Sequence, residues 1–427
     1  MIVLPVKSFT LRTETQRFRW LGARLPSPHK RRLVVLTGAR QTGKTTLARQ
    51  LYGDLRYINL DAIEEREALR GLRTASWGRA VGPAVVDEAQ KEPGVFDKVK
   101  LAYDERQIAF SVLLGSSRVL LLDRVRESLA GRAFVYDLWP LMASEVRCPA
   151  DETPPSPLFD RLISAPAAFA ETLAAEPPRL LGDEAARRIE ALDHLAAWGG
   201  MPELLSLDDD ERREWLRSYR QTWLERDLAD LTRVSDLLPF RALQGLAMLR
   251  TGQLLNYADL ARDAAVSTAT ARRYLEYLRL SYQVVLLQPY ARNLTSATVK
   301  SPKLYWMDLG LLRHGTRNRG ELTGPLFETL VVAEARKWID TAGRDAALWF
   351  YRTRSGREVD LLIAAEGGTI GVEVKNRARV GARDCTGLRA LAKALGDEWA
   401  GGLVVHRGEA LEELAPGLWA VPAHRLF

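Results

Sequence analysis

Apolar residues fall into two regimes along this chain. In the first third they form short runs: Leu33-Val34-Val35-Leu36, Tyr57-Ile58-Asn59-Leu60, Ala84-Val85-Val86, Ser111-Val112-Leu113-Leu114 and Val135-Tyr136-Asp137-Leu138. Helix-length segments separate these runs, and strands alternating with helices predict a parallel sheet. A Pro- and Ala-rich stretch from Pro149 to Pro178 breaks the pattern and reads as a connector with a short helix or two, not as a core element. From about Gly182 to Leu280 the apolar period is helical. Within it, residues 259–267 and 270–278 have helix-turn-helix spacing, with Ser267 as N-cap and Leu275 and Leu278 turned inward. Val284-Val285-Leu286-Leu287 and Leu304-Tyr305-Trp306 then supply the strands of a winged helix. The last hundred residues open with a helix around Phe327–Val332 and return to strands, and no solenoid-like repeat is visible.

The first strand runs straight into Gly38-Ala39-Arg40-Gln41-Thr42-Gly43-Lys44-Thr45, which fits G-x-x-x-x-G-K-[ST] at every fixed position, and Thr46 continues into a helix. A strand that delivers a glycine turn onto a helix start points backbone N–H groups and the helix dipole at phosphates. Lys44 reaches the β/γ-phosphates and Thr45 offers its hydroxyl to Mg²⁺, so ATP with Mg²⁺ is the expected cofactor pair. Asp87-Glu88 ends a strand some forty residues on, where such an enzyme needs one acid for the metal (Asp87) and one to orient water (Glu88). Ser116 or Ser117 closes the next strand as a γ-phosphate sensor. Arg132 has two readings, a stabiliser of phosphoryl-transfer charge or a surface ion-pair partner.

Of 427 residues, 47% are hydrophobic and 27% charged, ordinary for a globular protein of two or three domains. No apolar stretch has membrane-spanning length and no export signal is evident, so a membrane location is not expected and the cytoplasm is. Cys148 and Cys385 stand alone, and the five histidines show no ligand spacing. The net charge of +7 is carried entirely by residues 1–32, which hold eight basic residues against Glu14 alone. With Phe18 and Trp20 interleaved, that arm reads either as a polyanion-tracking segment or as a solvated lead-in helix. Arg272 and Arg273 are candidate DNA contacts on the second helix of the winged-helix module, whose near-neutral charge equally fits a structural role.

Near the carboxy terminus, Glu358–Ala365 and Thr369–Lys375 flank Gly367-Gly368 as a hairpin. With those glycines at the turn centre, Asp360 faces Lys375 and Glu358 faces Arg377. Glu358, Asp360, Glu373, Lys375 and Arg377 then share one face, and Val359, Leu361, Ile363, Ile370, Val372 and Val374 the other. Asp360 and Glu373 can share a hard divalent cation, Mg²⁺ or Mn²⁺, with Glu328 adding a third carboxylate from the preceding helix. Lys375 can neutralise an attacked phosphate, and arginines including Arg352 and Arg377 surround the acids as a DNA backbone requires. A solvent-facing hairpin laced with salt bridges is the competing account.

Taken together, these residues resemble a large prokaryotic family of P-loop ATPases related to the AAA+ and STAND groups, whose members carry a restriction-endonuclease-like carboxy-terminal domain. The resemblance rests on Gly38–Leu47, Val86–Lys91 with Pro93, Gly115–Ser117, Ser128–Arg132, Gly199–Glu203, Leu224–Asp227, Lys300–Lys303, Tyr351–Thr353 and Glu373–Lys375. It implies that Arg132 belongs to a glycine-arginine motif and that Gly200-Met201-Pro202 turns from ATPase to lid. It also aligns Asp360, Glu373 and Lys375 with a D…(D/E)-x-K nuclease core and Glu328 with its helical acid. Leu114 departs from the threonine of many relatives.

The expected fold class is α/β, in four parts. A P-loop sheet domain covers residues 1–148, a linker and helical lid 149–210, a helical and winged-helix region 211–318, and an α/β restriction-endonuclease-like domain 319–427. The expected function is ATP-driven processing of duplex or branched DNA by a homo-oligomer in which Arg132 or Arg226 acts across an interface. The alternative is a nucleotide-dependent signalling switch that binds a protein partner.

Overall fold

The computed structural model describes residues 16–116, 118–231, 237–290, 301–353 and 356–427; for residues 119 and 223–231 it describes the backbone alone. Glu14, Ser117, Lys300 and the Arg226 side chain, each singled out above, lie outside the described residues.

Five parallel strands form the amino-terminal sheet: β1 (Arg32–Thr37), β2 (Arg56–Asn59), β3 (Ala84–Asp87), β4 (Phe110–Gly115) and β5 (Ala133–Asp137), in the order β2-β3-β4-β1-β5. β1 is buried on both faces. Leu33 and Val35 enter one apolar cluster with Phe96 and Trp77, while Val34 and Leu36 enter another with Leu47 and Tyr52. A run without polar gaps is what a parallel strand between two helical layers requires. All five strands therefore end on the same side of the sheet, where Thr37, Asp87, Gly115 and Asp137 lie.

The second sheet has nine strands: β6 (Gln253–Leu254), β7 (Val284–Pro289), β8 (Lys303–Trp306), β9 (Ala346–Arg352), β10 (Glu358–Ala365), β11 (Gly368–Lys375), β12 (Trp399–His406), β13 (Glu412–Ala415) and β14 (Leu418–Pro422). Their order is β13-β14-β12-β11-β10-β9-β7-β8-β6. The helices Tyr257–Asp263 and Thr268–Leu280 sit between β6 and β7, and Ser267 caps the second by accepting from Thr270 N–H at 3.1 Å. β7 pairs in parallel with β9 through Gln288↔Trp349 and Pro289↔Phe350. The sheet thus runs unbroken across residue 318, from β6, β7 and β8 into the carboxy-terminal strands.

Two details differ from the sequence reading. Residues 149–178 are not a bare connector: the helices Leu158–Ser164 and Phe169–Ala174 place Leu158, Phe159, Leu162, Ile163, Phe169 and Leu173 in the largest core, against Leu403 and Val405 of β12. The expected short helices are there; what a composition rich in Pro and Ala hid is that their few large side chains are all buried. The hairpin register also differs. Ala365↔Gly368 and Leu361↔Val372 pair, so Glu366 and Gly367 form the turn, with Gly367 at φ 89°. Pairing by this register sets Asp360 against Glu373 rather than Lys375. A bulge against β9 between Val359 and Leu362 moves Val359 out of the expected apolar face. Val359 packs with Leu362 and Leu388, whereas Leu361 and Ile363 pack in the main core.

From residue 16 the basic arm is folded onto the body. Arg17 Nε donates to Val146 O at 2.9 Å, and Arg24 Nη1 to Thr341 O at 2.6 Å. Arg19 Nη1 donates to Thr42 O at 2.8 Å, while its Nε lies 3.3 Å from the buried Glu145 carboxylate. Phe18, Trp20 and Trp338 stack edge to face in series. These arginines serve internal carbonyls and a carboxylate rather than a solvated tract.

Candidate nucleotide site and acid centre

The loop after β1 approaches the backbone of Leu138 so closely that a Cβ on Gly38 would lie 2.2 Å from Leu138 O. Gly38, Gln41 and Gly43 all have positive φ, at 152°, 60° and 93°, which curls the loop before the helix Lys44–Leu51 begins. Thr42 is buried and its hydroxyl donates to Ala39 O at 2.9 Å, bracing the curl from within. Lys44 Nζ donates to Gly38 O at 3.0 Å and Ala39 O at 2.8 Å, which fixes the ammonium at the rim.

Beside this loop, Thr45 Oγ1 donates to Asp87 Oδ2 at 2.6 Å. The same oxygen accepts from Tyr57 OH at 2.8 Å, and Oδ1 accepts from Glu88 N–H at 2.9 Å. Burial, then the Asp87 carboxylate, pushes the Tyr57 phenol well above its ordinary range, so it stays a donor. Glu88 takes a left-handed conformation (φ 52°), and its Oε2 accepts from Gln90 Nε2 at 2.5 Å and Ser116 Oγ at 3.3 Å. A residue strained into that region beside a glycine loop is what an active site maintains. Arg40, Gln41, Gly43, Lys44, Thr45, Thr46, Glu88 and Ser116 line one cavity of about 720 Å³. Its far wall comes from Pro202 and Glu203 after the Gly199-Gly200 turn, and from Trp215, Ser218, Tyr219 and Thr222 of the helix Asp209–Leu231. Trp215 and Tyr219 are stacked at 5.1 Å, and Tyr219 OH donates to Arg40 O at 3.3 Å. Thr45 and Asp87 offer hard oxygens side by side, the donor set Mg²⁺ prefers.

Arg132 is not among the residues lining this cavity. Its Nε pairs with Asp104 Oδ1 at 2.7 Å. Within one chain, the predicted charge stabiliser is an ion-pair partner on the surface behind β5.

The carboxy-terminal acids gather where β10 and β11 part. The pairing of β10 with β11 stops at Leu361↔Val372, and the Asp360 carboxylate accepts from Val374 N–H at 2.9 Å. Glu328 comes from the helix Gly324–Ala342, Glu358 from β10, and Glu373 and Lys375 from β11. Lys375 Nζ holds Glu373 Oε1 at 2.6 Å, while Glu373 Oε2 is buried with no hydrogen-bond partner. Burial, followed by the charge of Asp360, pushes both Glu328 and Glu373 up to about 7, and burial raises Asp360 as well. Yet among the described residues no three Asp, Glu, His or Cys side chains are grouped so as to hold a metal ion. Glu328, Asp360 and Glu373 are therefore coupled electrostatically without forming the ready cage that the hairpin suggested. The reason is a lysine from elsewhere. Lys303 of β8 places Nζ 3.1 Å from Glu328 Oε1 and 3.6 Å from Asp360 Oδ1, with Glu358 Oε1 in closest contact. Burial alone would lower the Lys303 ammonium, but Glu328, Asp360 and Glu358 together raise it above its ordinary value.

The candidate DNA arginines are each engaged within the chain. Arg352 pairs with Glu358 at 3.3 Å and Arg377 with Asp384. Arg272 stacks 4.0 Å over the Tyr257 ring, and Arg273 lies 5.7 Å from the Tyr274 ring, both exposed on one helix.

Residues 30–147 match an AAA domain. The amino-terminal unit is a P-loop ATPase-like domain. Residues 189–321 and 323–426 match two domains of unknown function (DUF8612 and DUF4143). Uncharacterized proteins of Mycobacterium bovis and Mycobacterium tuberculosis are each 29% identical over 411 residues, which is 93% of this chain and 82% of theirs. Among solved structures, a Walker-type ATPase of Pyrococcus abyssi is 17% identical and covers 66% of this chain and 90% of its own, with a TM-score of 0.37. Among the described residues no helix is long and apolar enough to cross a membrane.

Sequence reasoning missed Tyr57 and Gln90, which hold the two acids, and Trp215 and Tyr219, which wall the cavity. It also quoted Lys303 without giving it a role. Only Tyr57 left a local signal, a polar ring on a strand adjacent to β3.

Proposed function

We propose that the chain is an ATP-hydrolysing protein that processes duplex or branched DNA, with its carboxy-terminal part gripping or cutting the substrate. The observation that carries the ATPase reading is the Thr45–Asp87 contact at 2.6 Å beside Lys44, with Glu88 held by Ser116 and Gln90. In this reading the loop N–H groups and Lys44 bind the triphosphate, and Thr45 and Asp87 hold Mg²⁺, which neutralises developing phosphate charge when bound. Glu88 orients the attacking water, and Ser116 reports on the γ-phosphate. Arg132, on the surface, acts on the site of a neighbouring copy in a homo-oligomer.

A nuclease-like reading of residues 319–427 is supported by element order. The helix Gly324–Ala342 is followed by β9, β10 and β11, the helix Thr386–Leu395 and β12, with acids on the first helix, β10 and β11, and Lys375 two residues after Glu373. The decisive experiment measures ATP turnover over single-stranded, duplex and four-way DNA. Turnover should rise with a DNA form and disappear in Lys44→Ala; indifference to every DNA form removes the motor reading. Mg²⁺- or Mn²⁺-dependent cleavage should vanish in Asp360→Ala and Lys375→Ala. The second reading, a nucleotide switch with a non-cleaving binding domain, is favoured by one observation, the Lys303 ammonium seated among Glu328, Glu358 and Asp360. A switch holds nucleotide tightly and changes oligomeric state without steady DNA-stimulated turnover.

A further inference from the structure

We propose that Arg19 is a positioning residue for the phosphate loop, turning the Thr42–Gly43 peptide so that its N–H faces the bound phosphates. The inference rests on reading that loop as the nucleotide site. One guanidinium from the amino-terminal arm meets three groups. Nη1 donates to Thr42 O at 2.8 Å, Nη2 donates to Trp139 O at 2.5 Å, and Nε lies 3.3 Å from Glu145 Oε2. The Arg19 side chain is 9% exposed and that of Glu145 1%. Glu145 is itself fixed, accepting from Trp20 N–H at 2.9 Å and Met142 N–H at 3.2 Å. A planar guanidinium engaged on three sides has one orientation left.

In a trans peptide the carbonyl oxygen and the following N–H point in opposite directions. Drawing Thr42 O towards Arg19 therefore turns Gly43 N–H away from the guanidinium, and Gly43 lines the nucleotide cavity. A cation at the carbonyl end also polarises the peptide and strengthens its N–H as a donor. Arg19 is not among the residues lining the nucleotide cavity; it lines a smaller one with Gly43 and Thr46. Its action on phosphate thus runs through the peptide. The bond to Trp139 secures the other flank, because Leu138, the residue before it, is the one whose carbonyl oxygen bars a side chain at Gly38. One side chain fastens the loop at Thr42 to the segment against which Gly38 lies.

The test measures affinity of the full chain for N-methylanthraniloyl-ATP by fluorescence, with inorganic tripolyphosphate as competitor, and follows steady-state ATP turnover. Burial raises the Glu145 carboxyl, and Arg19 is the first group opposing that rise. Arg19→Met is therefore paired with Arg19→Met/Glu145→Gln, which leaves no bare charge in the interior. The double variant should bind the ATP analogue about tenfold more weakly. Tripolyphosphate, which has phosphates alone, should lose the same factor. KM for ATP should rise by more than kcat falls, because an N–H on a phosphate holds ground state and transition state alike. Arg19→Lys keeps the cation and one donor for Thr42 O, and should recover most of the affinity.

Unaltered affinity in the double variant overturns the proposal, as does a loss confined to the ATP analogue with tripolyphosphate unaffected. A lower melting temperature with full affinity makes Arg19 a stabilising residue only, which also overturns it. If Arg19→Met fails to fold, the double variant decides alone. A wild type that binds neither the analogue nor tripolyphosphate removes the nucleotide reading and the positioning role with it. Wild-type binding that the double variant shares removes the positioning role and leaves the nucleotide reading standing.

Discussion

The hydroxyl of Tyr282 donates a 2.6 Å hydrogen bond to Asp137 Oδ1, tying the turn after the helix Thr268–Leu280 to the end of β5. Thr37, the last residue of β1 before the phosphate loop, has its hydroxyl 3.1 Å from the Tyr282 hydroxyl oxygen. Arg118 completes the group, pairing with Asp137 Oδ2 at 3.0 Å and standing 5.2 Å from the Tyr282 ring. Tyr282 holds a left-handed backbone (φ 65°) to reach this place, a conformation rarely kept by a bulky residue without compensation. The floor of the nucleotide site and the segment that follows the helix Thr268–Leu280 are therefore packed together.

Tyr282→Phe keeps the ring against Trp139 and removes only the hydroxyl. Asp137 stays paired with Arg118 but loses a buried donor, a loss of about 1–3 kcal/mol. Thermal denaturation should register a lower melting temperature, and nucleotide affinity should weaken, because Thr37 loses its contact just before the loop. An unchanged affinity would mean that this junction stabilises the fold without reporting to the site.

Thr45→Val replaces the hydroxyl that bonds Asp87 by a methyl group of similar volume. If Thr45 and Asp87 hold the metal, the Mg²⁺ concentration for half-maximal turnover should rise and maximal turnover should fall at least tenfold. Thr45→Ser should retain most of both. A Thr45→Val protein with an unaltered Mg²⁺ requirement would assign the metal to other oxygens.

Gly38→Ala tests the loop without touching any charged group. The new Cβ would meet Leu138 O at 2.2 Å, and an alanine at φ 152° is strained in any case. The loop must shift or the strand end must yield, at a cost on the order of 1–3 kcal/mol. Nucleotide affinity should fall more than the melting temperature suggests, because the displaced element is the one that surrounds the phosphates.

How far the chain could be read depended on how local each device is. Gly38–Thr45 and Asp87-Glu88 were legible because strand, turn and helix start are contiguous, and backbone geometry alone makes the anion site. The hairpin was legible in kind but not in register. Gly367-Gly368 offered a two-residue turn, whereas Gly367 takes the second turn position after Glu366 and Gly368 already pairs with Ala365. The change moves each strand's partner by two in total, so paired residues still share a face, and the bulge at Asp360 is what broke the expected apolar stripe. Lys303 and Tyr282 could not be read at all. Each acts on side chains tens or hundreds of residues away: Lys303 meets its acids because β7 and β9 pair within one sheet, and Tyr282 meets Asp137 where that part of the chain packs on the end of the amino-terminal sheet. The core role of Phe159 and Phe169 was lost for a related reason, since the short helices expected in that Pro- and Ala-rich stretch have too few turns for a buried face to show in the sequence.

Acid should destabilise this protein through a histidine that has no obvious role in either site. His194 lies on the helix Asp183–Trp198 with its Nε2 buried and without a partner. Burial first, then Arg212 and Arg17, lowers its pKa to about 4. In the unfolded chain the ring takes up a proton near pH 6.5, whereas in the folded chain it resists protonation until about pH 4. Between those values the unfolded state binds more protons, so stability falls as pH falls through the window and is unaffected above it. At pH 5 the loss from this one group is on the order of 2 kcal/mol. His194→Gln does not titrate, so its melting temperature relative to wild type should rise on going from pH 7.5 to pH 5. The buried His424, also lowered to about 4, keeps a residual acid sensitivity in that variant. Parallel melting curves for wild type and His194→Gln across this range would mean that the ring reaches solvent and is charged in the folded protein.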